Sequence, residues 1–125
     1  MKYLRDIFVF GSNRQGIHGK GAALEARKNH GARYGQAEGL QGGSYAIVTK
    51  ELRREEPPVM LKEIKSGVLR FLAFAARHPE MRFWVKAIGC GLAGFDPDDV
   101  APMFKGHPGN VILPDGFKMV LEEEG

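Results

Sequence analysis

The sequence predicts an α/β domain whose sheet is largely parallel and carries helices on both faces. Two observations predict this fold class. Short apolar runs that suit buried strands alternate with helix-compatible segments along the chain. Two of these runs end in glycine-rich turns that lead into a helix, at residues 11–21 and 89–94. Since 125 residues are enough for one packed core, we expect a single domain over residues 1–125.

The first half of the chain contains two predicted strands and one predicted helix. Residues 7–10 form a continuous apolar run, which is typical of a strand buried on both faces. The alanine-rich segment 19–30 predicts a helix that stops at the glycine after it. Residues 31–43 are rich in glycine and too long for a simple turn, so we expect a functional loop. A second strand over 44–49 then delivers Lys50 at its carboxyl end.

The clearest helical pattern follows a polar connection that ends in two prolines. Apolar residues recur at steps of three and four between Leu61 and Ala75, which predicts an amphipathic helix. Residues 81–88 predict the third core strand, residues 97–104 a short helix, and residues 111–113 a last strand. The sequence contains no repeat, low-complexity tract or linker.

Composition excludes several classes of protein. A hydrophobic content of 43% with 26% charged residues is ordinary for a soluble globular protein. Because Cys90 is the only cysteine, the chain cannot form an intramolecular disulfide. The four histidines lack the spacing of metal ligands, so we expect no metal and no cofactor. No apolar run approaches the roughly 20 residues that span a bilayer, and the first residues lack a secretory apolar region. We therefore expect a cytoplasmic protein without a membrane partner.

The charge of the chain favours an anionic partner. The net charge is +3, and basic residues concentrate in the first half of the sequence. This balance would attract an anionic small molecule or nucleic acid, although surface lysines also serve solubility. Because no nucleic-acid-binding motif or interleaving of aromatic and basic residues is present, direct nucleic-acid binding has less support than an anionic ligand.

Glycine accounts for 17 of the 125 residues, about twice its usual share of roughly 7%. Where a strand ends and a helix begins, glycines leave backbone N–H groups accessible, which is a favourable arrangement for a diphosphate. Neither glycine loop matches a Walker A motif or a dinucleotide fingerprint, and either loop alone could be only a tight turn. Ligands bind parallel sheets at the carboxyl ends of the strands. We therefore expect both loops and Lys50 to lie at one edge.

Two side chains near these loops have the chemistry of nucleophiles. A neutral lysine attacks anomeric or carbonyl carbons, so Lys50 is either such a nucleophile or an ordinary lysine at a strand end. Cys90 lies between two glycines, but no neighbouring base is implied, and we favour a packing role. Asp96 and the acidic residues after it fit the start of a helix.

The order of these segments resembles the macrodomains, a family of three-layer α/β/α domains that bind ADP-ribose. Residues 8–13 and 18–23 are similar to the first binding loop of that family. Residues 87–95, followed by 98–101, are similar to its second, diphosphate-binding loop. The similarity is closest to the terminal ADP-ribose glycohydrolase branch, which includes DNA-de-ADP-ribosylating antitoxins, and to small phage-type relatives. It covers roughly residues 6–113.

The resemblance implies that the chain binds ADP-ribose, or an ADP-ribosylated protein or nucleic acid, and hydrolyses the linkage. Lys50 follows the segment 45–49 and matches the lysine with which the glycohydrolase branch attacks the anomeric carbon of the distal ribose. Asn13 matches an amide that contacts the ribose. The other ligand-binding residues that the resemblance implies are Gly19, Lys20, Gly21, Ala22, Gly89, Cys90, Gly91, Leu92, Ala93, Gly94 and Phe95.

Three departures from the family pattern bear on activity. Ala93 stands where the glycohydrolase branch has an aspartate, and Ala23 stands where the other hydrolytic branch has an acidic residue. Asp96, three residues after Ala93, is the candidate to replace the missing aspartate. The strand that brings an adenine-contacting aspartate is missing or shortened, which leaves Asp6 as the candidate. Three functions stay open: a lysine-dependent hydrolase, a non-catalytic module that binds ADP-ribose or a related nucleotide, and a phage accessory protein that acts near nucleic acid.

Overall fold

A computed structural model describes residues 3–124. In chain order its elements are β1 (Arg5–Asn13), α1 (Gly21–Asn29), β2 (Gly39–Gln41), β3 (Ser44–Lys50), α2 (Leu61–Ala76), β4 (Met81–Val85), α3 (Pro97–Val100), a 3₁₀ turn (Ala101–Phe104), β5 (Val111–Ile112) and α4 (Asp115–Glu124). None of the helices within the described residues is long and apolar enough to cross a membrane.

The strands form one sheet in the order β2-β3-β1-β4-β5. β1 pairs in parallel with β3 and with β4, and β4 pairs in parallel with β5, whereas β2 is antiparallel to β3. An irregularity after Ser12 shifts the register, so that Asn13 pairs with Lys50 at the end of the two strands. The predicted α/β class with a mostly parallel sheet is therefore confirmed.

Both faces of the sheet are covered, which confirms the three-layer arrangement. Because successive side chains of a strand point to opposite faces, β1 contributes to two cores. Ile7 and Val9 enter the larger core, which α2, α3 and α4 cover. Phe8 and Phe10 enter a smaller core beneath α1, whose alanines let the helix approach the sheet closely.

Four elements differ from the sequence prediction. The expected loop 31–43 contains the short strand β2, and the unpredicted helix α4 packs Phe117 into the larger core. The strand predicted over 81–88 ends at Val85. The helix predicted over 97–104 divides into α3 and the 3₁₀ turn. Pro102 explains this division, because it has no N–H group to continue the α-helical hydrogen bonds.

Aromatic rings fill the centre of the larger core. The ring of Phe71 on α2 lies 5.0 Å from that of Tyr45, 5.4 Å from that of Phe83 and 6.4 Å from that of Phe104, measured between centroids. Phe71 is fully buried, so it joins β3, β4 and the 3₁₀ turn to α2. The docking of α2 on the sheet therefore depends on this side chain.

We expect Phe71→Ala to lower the free energy of unfolding by about 3–5 kcal/mol, since it removes a buried ring and leaves a cavity. Leu69→Ala on the same helix is the control, because Leu69 is 53% exposed and its change should stay within about 0.5 kcal/mol. Urea unfolding followed by circular dichroism measures both. Equal losses in the two variants would contradict the packing described here.

Candidate functional site

A pocket of about 530 Å³ opens at the carboxyl edge of the sheet. It is lined by the ends of β1 and β3 and by the segments that follow β1, β3 and β4. The predicted residues that line it are Asn13, Gly19, Lys20, Gly21, Ala22, Lys50, Gly89, Gly91, Leu92 and Ala93. The two glycine loops and Lys50 therefore do meet at one edge of the sheet.

Three predicted ligand-binding residues lie outside this lining. Cys90, Gly94 and Phe95 belong to the second loop but are not among the residues that face the pocket. Phe95 packs against the larger core, and its N–H donates to the carbonyl of Gly89 at 2.8 Å. It therefore supports the loop from behind.

Cys90 has the surroundings of a packing residue. Its side chain contacts the larger core, and burial raises the pKa of its thiol above the ordinary value. Asp96 and Asp99 raise the pKa further, because a nearby negative charge disfavours the thiolate. A raised pKa opposes nucleophilic chemistry, in agreement with the packing role that we favoured.

Asn13 holds the first glycine loop through its side chain. Its Nδ2 donates to the carbonyl of Ile17 at 2.6 Å, and its Oδ1 accepts from the N–H of the same residue at 2.9 Å. The N–H of Gly16 donates to the carbonyl of Asn13 at 3.0 Å and closes the turn between them. The amide of Asn13 is therefore engaged within the protein, although the residue lines the pocket.

The glycine-rich segment 31–43 supports the first loop from behind and contributes no residue to the pocket lining. The N–H of Gly35 donates to the carbonyl of Gly16 at 2.8 Å. A Cβ atom on Gly16 would lie 2.5 Å from the carbonyl carbon of Gly35, so only glycine permits this approach. Ser12 Oγ also donates to the carbonyl of Ala37, and the buried His18 contacts Gln41.

A clamp of polar side chains joins the residues after β1 to the residues after β3. Gln15 Nε2 donates to a carboxylate oxygen of Glu51 at 2.6 Å, while its Oε1 accepts from the N–H of Leu52 at 3.1 Å. Arg14 donates to Glu51 at 3.2 Å, and its N–H donates to the carbonyl of Lys50 at 3.0 Å. The clamp thus fixes the backbone at the Lys50 carbonyl and over the two residues that follow it.

The same clamp extends to α2. Arg14 also donates to Glu63 at 2.7 Å and to the carbonyl of Pro57 at 2.5 Å. The side chain of Glu51 is only 1% exposed, and the N–H of Arg53 donates to it at 2.8 Å. This backbone N–H, together with the side chains of Arg53, Gln15 and Arg14, lowers the pKa of Glu51 to about 2.

Among the side chains of residues 3–123, no carboxylate lines the pocket. Asp96 lies outside the lining and immediately precedes α3, where its N–H donates to a carboxylate oxygen of Asp99 at 3.2 Å. Asp6 lies at the opposite end of β1, where it accepts hydrogen bonds from Arg82 at 2.8 Å and from Trp84 at 3.0 Å. Neither Asp96 nor Asp6 therefore lines the pocket in which the glycine loops and Lys50 meet.

Several lining residues were not predicted from the sequence. They include Lys86 after β4 and the exposed aliphatic side chains of Ile17 and Leu52. Lys86 was hidden by the prediction of a strand through residue 88. Because β4 ends at Val85, Lys86 instead stands at the carboxyl edge on the opposite side of β1 from Lys50. No group of three or more potential metal ligands occurs in residues 3–124.

We expect Glu51→Gln to lower the free energy of unfolding at pH 7, and we expect this loss to shrink as the pH falls. The stabilisation from a carboxylate with a lowered pKa is complete above its ordinary pKa of 4.5 and is lost as the pH falls toward about 2. Urea unfolding of both proteins at pH 7 and pH 3 measures the difference. Glu122→Gln in α4 is the matched control; a loss at Glu51 that is independent of pH would contradict the clamp.

No protein-family model matches the sequence, and no curated protein matches it either. Solved structures do resemble it, and three of them share 17% identity with it. A protein of unknown function from Bacteroides thetaiotaomicron aligns over 81% of this chain and 78% of its own, with a TM-score of 0.59. DarTG of Thermosipho africanus, solved in complex with ADP-ribose, aligns over 92% of this chain and 42% of its own, with a TM-score of 0.59. A macrodomain protein from Streptomyces coelicolor aligns over 89% and 88%, with a TM-score of 0.56. The chain therefore has a macrodomain-like fold.

Proposed function

We propose that this protein binds ADP-ribose in the pocket at the carboxyl edge of its sheet. The observation that supports this proposal is the convergence of two glycine loops and three lysines on one cavity. Residues 19–22 lead into α1, and residues 89–95 lead toward α3. A diphosphate can accept hydrogen bonds from backbone N–H groups at such loops. In the second loop this role falls to residues 91–93, because the N–H groups of Cys90, Gly94 and Phe95 donate to carbonyls within the protein.

Charge supports the same ligand. Lys20, Lys50 and Lys86 are the charged residues in the lining within the described part of the chain. A lysine ammonium donates hydrogen bonds and accepts none, so the site suits a ligand that brings its own negative charge. The N-terminus of α1 adds a partial positive charge, which also favours a phosphate.

The size and fold of the site agree with a dinucleotide-sized ligand. Small-molecule sites are commonly clefts of about 300–1,000 Å³, and the volume of this pocket lies within that range. DarTG, whose fold resembles this one, was solved with ADP-ribose bound. The ADP-ribose of this proposal is either free or attached to a protein or a nucleic acid.

We expect Gly91→Val to weaken ADP-ribose binding at least tenfold, which is about 1.4 kcal/mol, without unfolding the protein. Gly91 lines the pocket, and a Cβ atom there meets nothing within 4 Å, so the new side chain obstructs only the open space of the loop. Isothermal titration calorimetry measures the affinity. Gly109→Val is the control, since that glycine is exposed, equally open and outside the pocket. Unchanged affinity in Gly91→Val would place the ligand elsewhere.

The proposed reaction is slow hydrolysis of an ADP-ribosyl linkage with Lys50 as the nucleophile. The neutral Nζ atom attacks the anomeric carbon of the distal ribose, and the bond from this carbon to the attached group breaks. That group leaves with the electron pair and takes up a proton. Water then attacks the lysine adduct, which releases ADP-ribose and regenerates Lys50. The clamp supports this role, because it fixes the backbone beside Lys50.

The missing acid limits the rate of this reaction. No carboxylate from residues 3–123 lines the pocket to protonate the leaving group, and Ala93 occupies the place where the resemblance implies an aspartate. General acid–base assistance typically contributes about 10²–10⁴-fold. A non-catalytic binding module is therefore the second candidate function, and this absence is the observation that favours it.

We expect Ala93→Asp to raise the rate of hydrolysis at least tenfold and Lys50→Ala to abolish it, while ADP-ribose binding persists in both variants. Borohydride reduction during turnover, followed by peptide mass mapping, should locate the adduct on Lys50. Lys118→Ala on α4 is the control for general loss of charge. Turnover that persists in Lys50→Ala, with no adduct on Lys50, would eliminate the covalent mechanism.

A further inference from the structure

Three large aliphatic side chains that are exposed to solvent line the same pocket. Ile17 follows β1, Leu52 follows β3 and Leu92 follows β4, and these residues are 39%, 42% and 64% exposed. None of the three belongs to either core of the domain. Single exposed apolar residues are ordinary, whereas several that meet at one cavity indicate a surface that contacts a ligand or a partner. Neither the diphosphate nor the nucleophile of the proposed reaction accounts for this apolar surface.

Polar side chains hold two of these aliphatic residues in place. The amide of Asn13 binds the backbone of Ile17 twice, at its carbonyl over 2.6 Å and at its N–H over 2.9 Å. Gln15 Oε1 accepts the N–H of Leu52 at 3.1 Å, and Gln15 Nε2 donates to Glu51 at 2.6 Å. These hydrogen bonds fix the backbone that carries both aliphatic side chains. A surface that is fixed before the ligand arrives loses less conformational entropy on binding.

The same two residues lie near Lys50. In the register between β1 and β3, Asn13 pairs with Lys50, and the amide of Asn13 holds Ile17. Leu52 is two residues beyond Lys50 in the chain. In the proposed reaction the Nζ atom of Lys50 approaches the anomeric carbon of the distal ribose. The group attached to that carbon then lies beside Ile17 and Leu52.

Leu92 supplies apolar surface from the opposite side of β1. It lies in the second glycine loop, within a turn that the N–H of Gly94 closes by donating to the carbonyl of Gly91 at 3.0 Å. Because β3 and β4 flank β1 in the sheet, Leu52 and Leu92 reach the pocket from two sides. A group on the distal ribose can therefore contact aliphatic side chains on both sides.

The charges of the lining determine which kind of attached group fits this surface. Lys20, Lys50 and Lys86 line the pocket, whereas no carboxylate from residues 3–123 does. A cationic group would therefore meet like charges without a counter-ion. An anionic group would compete with the diphosphate for the lysines and would lose water against the aliphatic side chains. An uncharged apolar group has neither cost, and it gains the burial of its surface.

We propose that the substrate of this site is ADP-ribose whose anomeric carbon carries an uncharged, apolar group, and that Ile17, Leu52 and Leu92 bind this group. The inference rests on the proposed function, because it concerns the same pocket. It adds the chemical class of the group to which ADP-ribose is attached. The diphosphate is bound by the glycine loops and the lysines, and the attached group is selected by the aliphatic side chains.

Isothermal titration calorimetry of the full chain tests this proposal with ADP-ribose and four of its glycosides: methyl, butyl, 4-aminobutyl and 3-carboxypropyl. We expect the butyl glycoside to bind at least tenfold tighter than the methyl glycoside, because each buried methylene improves the affinity by up to about fourfold. The two charged glycosides should bind no tighter than the methyl glycoside.

Two kinds of failure can be told apart. If ADP-ribose binds but the butyl glycoside is no tighter than the methyl glycoside, or if a charged glycoside is the tightest, this inference is overturned and the proposed function stands. If ADP-ribose itself does not bind, the proposed function fails, and this inference fails with it.

A leucine variant provides a second readout. Leu52→Ser should reduce the preference for butyl over methyl at least threefold, because it removes apolar surface and keeps the backbone N–H that Gln15 binds. Leu52→Met should restore most of this preference. Leu69→Ser is the matched control, since Leu69 is 53% exposed on α2 and lies outside the pocket, and it should leave the preference unchanged. An unchanged preference in Leu52→Ser would overturn the proposal.

Discussion

β1 lies in the middle of the sheet and pairs in parallel with both of its neighbours, and the site depends on this constraint. Its residues pair with β3 on one side and with β4 on the other. Because parallel strands run in the same direction, the segments after all three strands leave from one edge. Two of these segments are the glycine loops and the third begins at Lys50. A register slip of one residue would exchange the side chains of β1 between the two cores, so the packing of both cores also fixes the pocket.

Hydrogen bonds between polar groups within the protein hold the local structure at this edge of the sheet. Asn13 fixes the first loop, the clamp around Glu51 fixes the segment after Lys50, and the segment 31–43 braces the first loop from behind. A site that binds phosphate through backbone N–H groups needs this support, because the donors cannot reorient independently of the chain. The polar side chains of Asn13, Gln15 and Glu51 therefore help to determine the shape of the pocket.

Much of the fold could be predicted because its main elements have strong local signals. The continuous apolar run of β1 and the regular spacing of apolar residues in α2 identify these two elements from the sequence alone. By contrast, β2 has three residues, Gly-Leu-Gln, whose strand conformation comes only from pairing with β3. The charged residues at the end of α4 obscured its helical pattern, and this helix is stabilised by the burial of Phe117 in the larger core. The conformation of these two elements depends on tertiary contacts, which a local sequence pattern does not show.

The candidate site could also be predicted only where its residues form a local sequence pattern. Glycines at the end of a strand are visible in the sequence, so both loops were found. The clamp joins Gln15 to Glu51 and Arg14 to Glu63, pairs that are 36 and 49 residues apart, and only the folded chain brings them together. Asn13 shows the limit most clearly. Its position at the end of β1 is compatible with contacting a ribose and with closing a turn, and the two hydrogen bonds to Ile17 show that its amide closes the turn. A sequence therefore shows that a polar residue follows a strand, but only the folded chain shows which backbone groups its side chain binds.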